Sequence, residues 1–261
     1  RPVRAMRYRE PIELGGIQLT AYPAGHCLGS AMLLADDGEL RLLYTGDFKL
    51  GESATVEPCE LPQADILIME STFGIHRYPM PPRDETIGRL IELVRQAFAE
   101  ERTPVLHLYT LGKSQEVTRI LTDHGIPVLQ HREIYAISQI YEACGVLLGD
   151  YACYEGQPLA GHAVITSPKQ SKGFRIAGLR QTTTFTVTGW AIDEQTKYRF
   201  GVDHAIPLSD HADFDELIET IDRVGANEIY CTHGPYAFVE HLQDAGLNAQ
   251  PLQKPEQGRL F

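Results

Sequence analysis

The chain has 261 residues, 43% of them hydrophobic and 22% charged, which is enough apolar material for one large or two small folded domains and excludes low-complexity and collagen-like classes. Thirty-five acids against 23 bases give a formal charge of −12, so the average surface repels a polyanion unless bases or metal ions cluster locally. No apolar run approaches the roughly 18 residues of a membrane helix, so a soluble chain without membrane association is expected. Five scattered cysteines without a Cys-x-x-Cys pair indicate neither a disulfide framework nor a thiolate zinc knuckle, and a reducing cytoplasm is the expected location. The opening, Arg1-Pro-Val-Arg-Ala-Met, reads as a start in mid-domain.

In chain order, Gly15-Gly16 opens a strand in which Ile17, Leu19 and Ala21 alternate with polar residues. Asp36-Asp37-Gly38 then separates two further apolar runs as a hairpin turn. A buried strand is expected at Ile66–Met69. A Pro-rich bend at Pro79, Pro81 and Pro82 follows, and then a helix carrying Ile87, Leu90, Ile91, Val94, Ala97 and Phe98 on one face, with Asp84 as its N-cap. Next come a strand at Val105–Tyr109, a helix over about 114–122, a strand at Ile126–Leu129 and a helix over about 133–143. Strands at Ala163–Thr166 and Thr182–Thr188 precede helix Phe214–Val224, strand Glu228–Thr232 and helix Pro235–Ala245. Alternating strands and helices imply an α/β class with a parallel sheet.

His26, Asp47, Glu70, His211 and His233 each stand one to four residues beyond a strand's carboxyl end, in turns rich in Gly or Ser. Open α/β sheets build their sites there. Singly, each has a plain reading: a hydrogen-bonded structural histidine, a turn-forming Asp47, a solvated Glu70, an Asp213 that caps the helix after it. Together, imidazoles and carboxylates are the donor set of catalytic zinc, and a metal hydrolase is the natural class.

The strings Pro23-Ala-Gly-His26-Cys-Leu-Gly29-Ser30, Thr45-Gly46-Asp47-Phe48, Glu70-Ser-Thr-Phe-Gly74, Leu111-Gly-Lys-Ser-Gln115, Ser209-Asp-His211-Ala-Asp213 and Cys231-Thr-His233-Gly234 occur in order. This set resembles the later motifs of metallo-β-lactamase/β-CASP nucleases, most closely the bacterial ligase-associated DNA exonucleases, also called mRNA 3′-end processing factors. The resemblance implies an αββα metallo-β-lactamase sandwich, incomplete at its N-terminus, over residues 1–78 and 204–261. Residues 79–203 would form an inserted α/β β-CASP cap. It further implies His26 and His233 as zinc ligands, Asp47 as the bridging ligand, and His211 with Glu70 as a carboxylate-oriented general acid outside the metal sphere. Two zinc ions are expected in a complete protein. The His-x-His-x-Asp-His signature, which supplies four of the seven ligands in that family, is absent from this sequence. The chain therefore reads as the C-terminal portion of a longer protein that binds zinc weakly by itself.

Gly112-Lys113-Ser114 opens a helix and is read either as a phosphate cradle, with Lys113 and Ser114 binding substrate, or as a plain loop and N-cap. Lys169, Lys172, Arg175 and Arg180 form a basic stretch that either tracks a strand of substrate or is merely solvated. The expected activity is a metal-dependent exonuclease acting on DNA in repair, with a DNA ligase and a helicase as candidate partners. The alternatives are an RNA-processing nuclease and a non-catalytic nucleic-acid-binding subunit. A small-molecule hydrolase needs neither the insertion nor the Ser209–Asp213 motif.

Overall fold

The computed structural model describes residues 5–75, 80–168, 179 and 181–252. Strands β1 (Ile12–Leu14), β2 (Ile17–Pro23), β3 (Ala31–Asp36), β4 (Arg41–Tyr44) and β5 (Ile66–Glu70) come first. Helices α1 (Arg83–Ala99), α2 (Lys113–Asp123) and α3 (Arg132–Ala143) then alternate with β6 (Thr103–His107), β7 (Val128–Gln130) and β8 (Tyr151–Cys153). After β9 (Ala163–Thr166) and β10 (Thr182–Val187) come a 3-10 turn at Gly189–Ile192, the short α4 (Thr196–Phe200) and β11 (His204–Ile206). Helix α5 (Phe214–Val224), β12 (Glu228–Thr232), α6 (Tyr236–Asp244) and β13 (Ala249–Pro251) close the described chain.

These elements form two units. The first comprises residues 1–52, 57–79 and 211–261, and the second residues 53–56 and 80–210. β11 pairs with β10 in the second unit's sheet, so that unit runs past 203 to Asp210.

The first unit is built on a seven-stranded sheet of order β1-β2-β3-β4-β5-β12-β13. Its first four strands are an antiparallel meander, and β4, β5, β12 and β13 run parallel. The β1–β2 turn uses Gly15 and Gly16 at φ 63° and 87°, the left-handed pair that a tight hairpin requires. Helix α5 buries Leu217, Ile221 and Val224 in a core with Met32, Leu43, Leu67 and Phe238. Each such buried side chain contributes about 1.5–3 kcal/mol. Because β2 and β4 share a direction, the loops after β2, β4, β5 and β12 all leave the same end of the sheet. The α/β class and the separate α/β unit stand as expected, and among the described residues one sheet of the expected sandwich is present in this unit.

The second unit holds a six-stranded sheet, β11-β10-β6-β9-β7-β8, in which every described pairing is parallel. Residues 163–166 are all buried, the unbroken pattern of a strand covered on both faces. Helix α1 starts at Arg83 after Pro82, and Asp84 lies inside its first turn instead of capping it. Pro82 sets an extended backbone there (φ −52°, ψ 134°), so the chain turns into the helix two residues earlier than the Asp84 signal indicated. Strand β6 likewise begins at Thr103, and its last residue is His107.

Candidate metal and general-acid site

Three of the expected residues meet. A donor atom from each of His26, Asp47 and His211 lies within 4.8 Å of the other two, and the His26 and His211 rings are 4.7 Å apart between centroids. His26 is delivered by the turn after β2. Ser30 Oγ accepts from the His26 and Cys27 N–H groups, both at 3.2 Å, and Gly25 (φ 75°) lies so close to the Lys49 carbonyl that a Cβ would sit 2.3 Å from it. Only glycine fits that approach.

Glu70 ends β5 and is 1% exposed. Its carboxylate accepts from the Phe48 N–H at 2.8 Å and the Thr72 hydroxyl at 2.5 Å. His211 Nδ1 stands 3.0 Å from both Glu70 oxygens. A carboxylate oxygen accepts, so Nδ1 donates to Glu70, and the other ring nitrogen, Nε2, is not used by that carboxylate. The Phe48 carbonyl in turn accepts the Ala212 N–H at 2.6 Å, tying the loop after β4 to the His211 segment. Asp213 caps α5 in a reciprocal box with Glu216, as its spacing implies. Glu216 also takes the Lys49 ammonium and the Gly51 N–H, both at 2.7 Å, which anchors the loop carrying Asp47 to the helix that follows His211. The Asp213-x-x-Glu216 spacing was a readable signal for the box. The second role of Glu216 had none.

His233 lies outside this donor group. It follows Thr232, which pairs with Glu70 across β12 and β5, but its side chain is exposed and its Nδ1 is 3.4 Å from the Thr232 hydroxyl. Its φ of 54° is a left-handed conformation that histidine adopts more readily than most residues. Gly234 is locked beside it, since a Cβ there would sit 2.0 Å from the Ser71 carbonyl oxygen.

Lys113 and Ser114 do not form an open cradle. Lys113 is 1% exposed, its ammonium 2.8 Å from Glu116 and 3.8 Å from Asp210, and Arg83 binds Glu116 at 2.8 Å. The Ser114 hydroxyl donates to the Tyr109 carbonyl at 2.6 Å. The Lys113 and Ser114 N–H groups are taken by the Leu111 and Tyr109 carbonyls. Burial, which a local motif does not encode, turns the expected phosphate site into an internal ion pair. Burial raises the Glu116 carboxyl, but the Lys113 and Arg83 charges outweigh it and hold the group below its ordinary value. Of the basic stretch, Lys169, Lys172, Arg175 and Arg180 lie outside the described residues.

Residues 202–250 match the family described as the Zn-dependent metallo-hydrolase RNA specificity domain. A "Probable DNA ligase" of Opitutus terrae is 35% identical over 244 residues, covering 93% of this chain and 24% of that protein. "Cleavage and polyadenylation specificity factor subunit 3" of Dictyostelium discoideum is 34% identical over 156 residues, 58% of this chain and 20% of its own length. "Endoribonuclease YSH1" of Yarrowia lipolytica is 34% identical over 146 residues, 54% and 17% respectively. The chain belongs to the metallo-β-lactamase/β-CASP family. It spans about a quarter or less of the length of these relatives. The family is one of zinc-dependent metallo-hydrolases, and the donor set fits that metal. Two imidazoles and a carboxylate converge, and a ligating or reacting imidazole held through its other nitrogen by a carboxylate is the usual outer partner of a zinc centre.

Proposed function

We propose that this chain carries part of the catalytic centre of a zinc-dependent nuclease in which His211, oriented by Glu70, delivers a proton to the leaving oxygen of a phosphodiester. The observation that carries it is the pairing of His211 Nδ1 with both oxygens of a buried carboxylate, beside His26 and Asp47. His26 and Asp47 would hold zinc, with His233 as a further ligand; when bound, the metal activates water and offsets phosphoryl charge. Glu70 holds the imidazole tautomer and stabilises its protonated form, and Nε2 is the atom from which the proton leaves.

DNA is the substrate this reading favours, in an exonuclease that works in repair beside a ligase and a helicase. Its support is the relative named as a probable DNA ligase, which aligns with 93% of the chain. An RNA substrate is supported by the RNA-specificity match over residues 202–250 and by the relatives named for cleavage and polyadenylation or as endoribonucleases. Turnover on end-labelled single-stranded DNA and RNA, with zinc content measured for each variant, tests both parts. Asp47→Ala is expected to lose zinc and activity together, and His211→Ala to keep zinc and lose turnover. Equal zinc loss in the two would make His211 a ligand and end the general-acid assignment. Faster cleavage of RNA would reverse the order of substrates.

A further inference from the structure

The second unit has a cavity of about 700 Å³ at the carboxyl ends of β9, β6 and β10, lined by His107, Tyr109, Ser167, Thr186 and Thr188 among others. From β6 the chain crosses through α2 to β7 on one side, and from β10 it continues to β11 on the other. The crevice between these two neighbours is therefore a point where connections diverge, the place where parallel sheets bind ligands. The volume lies in the range of small-molecule pockets.

His107 is 8% exposed, and its Nδ1 has no hydrogen-bond partner among the described residues. A buried polar atom left unpaired is destabilising, and a ligand that supplied the partner would recover that loss. Burial lowers the His107 pKa below the ordinary imidazole value, so the ring is neutral near pH 7. Among the described residues the lining includes one carboxylate, Glu133, and no Lys or Arg, so these residues offer a phosphate no countercharge. The hydroxyls of Ser167, Thr186 and Thr188 make it too polar for a purely apolar guest. Tyr109 and Phe200 contribute aromatic rings to the lining and are 57% and 40% exposed.

We propose that this cavity receives a nucleobase of a single-stranded nucleic acid, stacked on Tyr109 and hydrogen-bonded at its edge by His107 Nδ1. The guest must be flat, neutral and studded with donors and acceptors, and a base satisfies all three. Stacking on an aromatic side chain tolerates any sequence, because every base has a flat π-face. This proposal rests on the nucleic-acid reading above, and it assigns a unit-two contact that positions a strand without taking part in the chemistry.

The test is calorimetric titration of the chain, with EDTA present, using adenosine, guanosine, cytidine and uridine, and ribose 5-phosphate as the base-free control. Saturable binding of at least one nucleoside is expected, with none for ribose 5-phosphate. His107→Leu and the surface change Tyr109→Ala should each weaken nucleoside binding at least about tenfold. Tyr109→Ala keeps the test decisive should His107→Leu fail to fold. No nucleoside binding up to about 10 mM, equal binding of ribose 5-phosphate, or undiminished binding by a folded Tyr109→Ala variant would overturn the proposal. Because no metal is present, the outcome is separable from catalysis. In the full-length protein, nucleoside binding without cleavage breaks the nuclease reading alone, and cleavage without nucleoside binding breaks this one alone.

Discussion

The His211–Glu70 pair of the first unit and the Lys113–Glu116 pair of the second are made of similar parts, yet they end in opposite conditions. In each, a buried carboxylate faces a basic side chain that begins or precedes a helix. Glu70 is satisfied by the Phe48 N–H, the Thr72 hydroxyl and one nitrogen of a half-buried imidazole that stands beside His26 and Asp47. Lys113 is enclosed, and Glu116 and Asp210 both face its ammonium. A pair that stands half-open beside other donor groups can do chemistry. A pair closed on itself can only hold structure.

The sharpest way to break that contrast is to remove each basic side chain in turn. His211→Ala should lower nuclease turnover about 10²- to 10⁴-fold, the usual worth of general acid–base catalysis. Its stability cost should stay within about 1–2 kcal/mol, since Glu70 keeps two other donors. Initial rates beside urea melts separate the two effects, and a large stability loss without a specific rate loss would place His211 with Lys113.

Lys113→Ala should do the reverse, costing about 3–5 kcal/mol because it strands the buried Glu116 carboxylate. The double change Lys113→Met with Glu116→Leu should recover most of that loss in urea denaturation. A Lys113→Ala protein as stable as the parent would show that the ammonium is available for substrate after all.

This difference also explains what could be read without coordinates. His26 and Asp47 were legible because each follows a strand end in a Gly turn, Glu70 because it ends β5, and His211 from the Ser209–Asp213 string; the common direction of β2, β4 and β5 brings the first three to one end of the sheet. Asp213 and the bounds of α5, β9 and β12 were legible from local capping and periodicity. Lys113 and Ser114 were not, because a helix opening after glycine looks the same whether its end faces water or the interior. Strands β1, β8, β11 and β13, at three residues each, carry too little alternation to register. The internal partners of Glu70 and Glu216 are backbone and long-range groups that no spacing announces.

A smaller effect follows from pH. Glu116 titrates below its ordinary value in the folded chain, so its contribution is complete above the unfolded carboxyl value of about 4.3 and is lost as pH falls through the lower folded value. The melting temperature of the parent should therefore drop more between about pH 5 and pH 3 than that of Glu116→Gln, measured by calorimetry in matched buffers. Parallel curves would mean that the Lys113 and Arg83 charges do not hold this carboxyl ionised.

The smallest expected effect tests whether the helix after His211 belongs to the site or only supports it. Asp213 accepts the Glu216 N–H at 3.0 Å, and Glu216 returns to the Asp213 N–H at 3.0 Å while also holding Lys49 and Gly51. Asp213→Ala removes one N-cap acceptor and should cost about 1 kcal/mol, and Asp213→Asn only a few tenths, because its amide oxygen still accepts. Glu216 keeps its links to the loop that carries Asp47, so zinc affinity should stay within about twofold of the parent, as expected when the groups that orient the ligands are intact. Urea melts and zinc titration of the two variants check both halves. If Asp213→Ala instead lost turnover on the scale of His211→Ala at unchanged stability, its carboxylate would have to reach the substrate or the metal, and the boundary drawn here between catalytic and supporting residues would move one turn into α5.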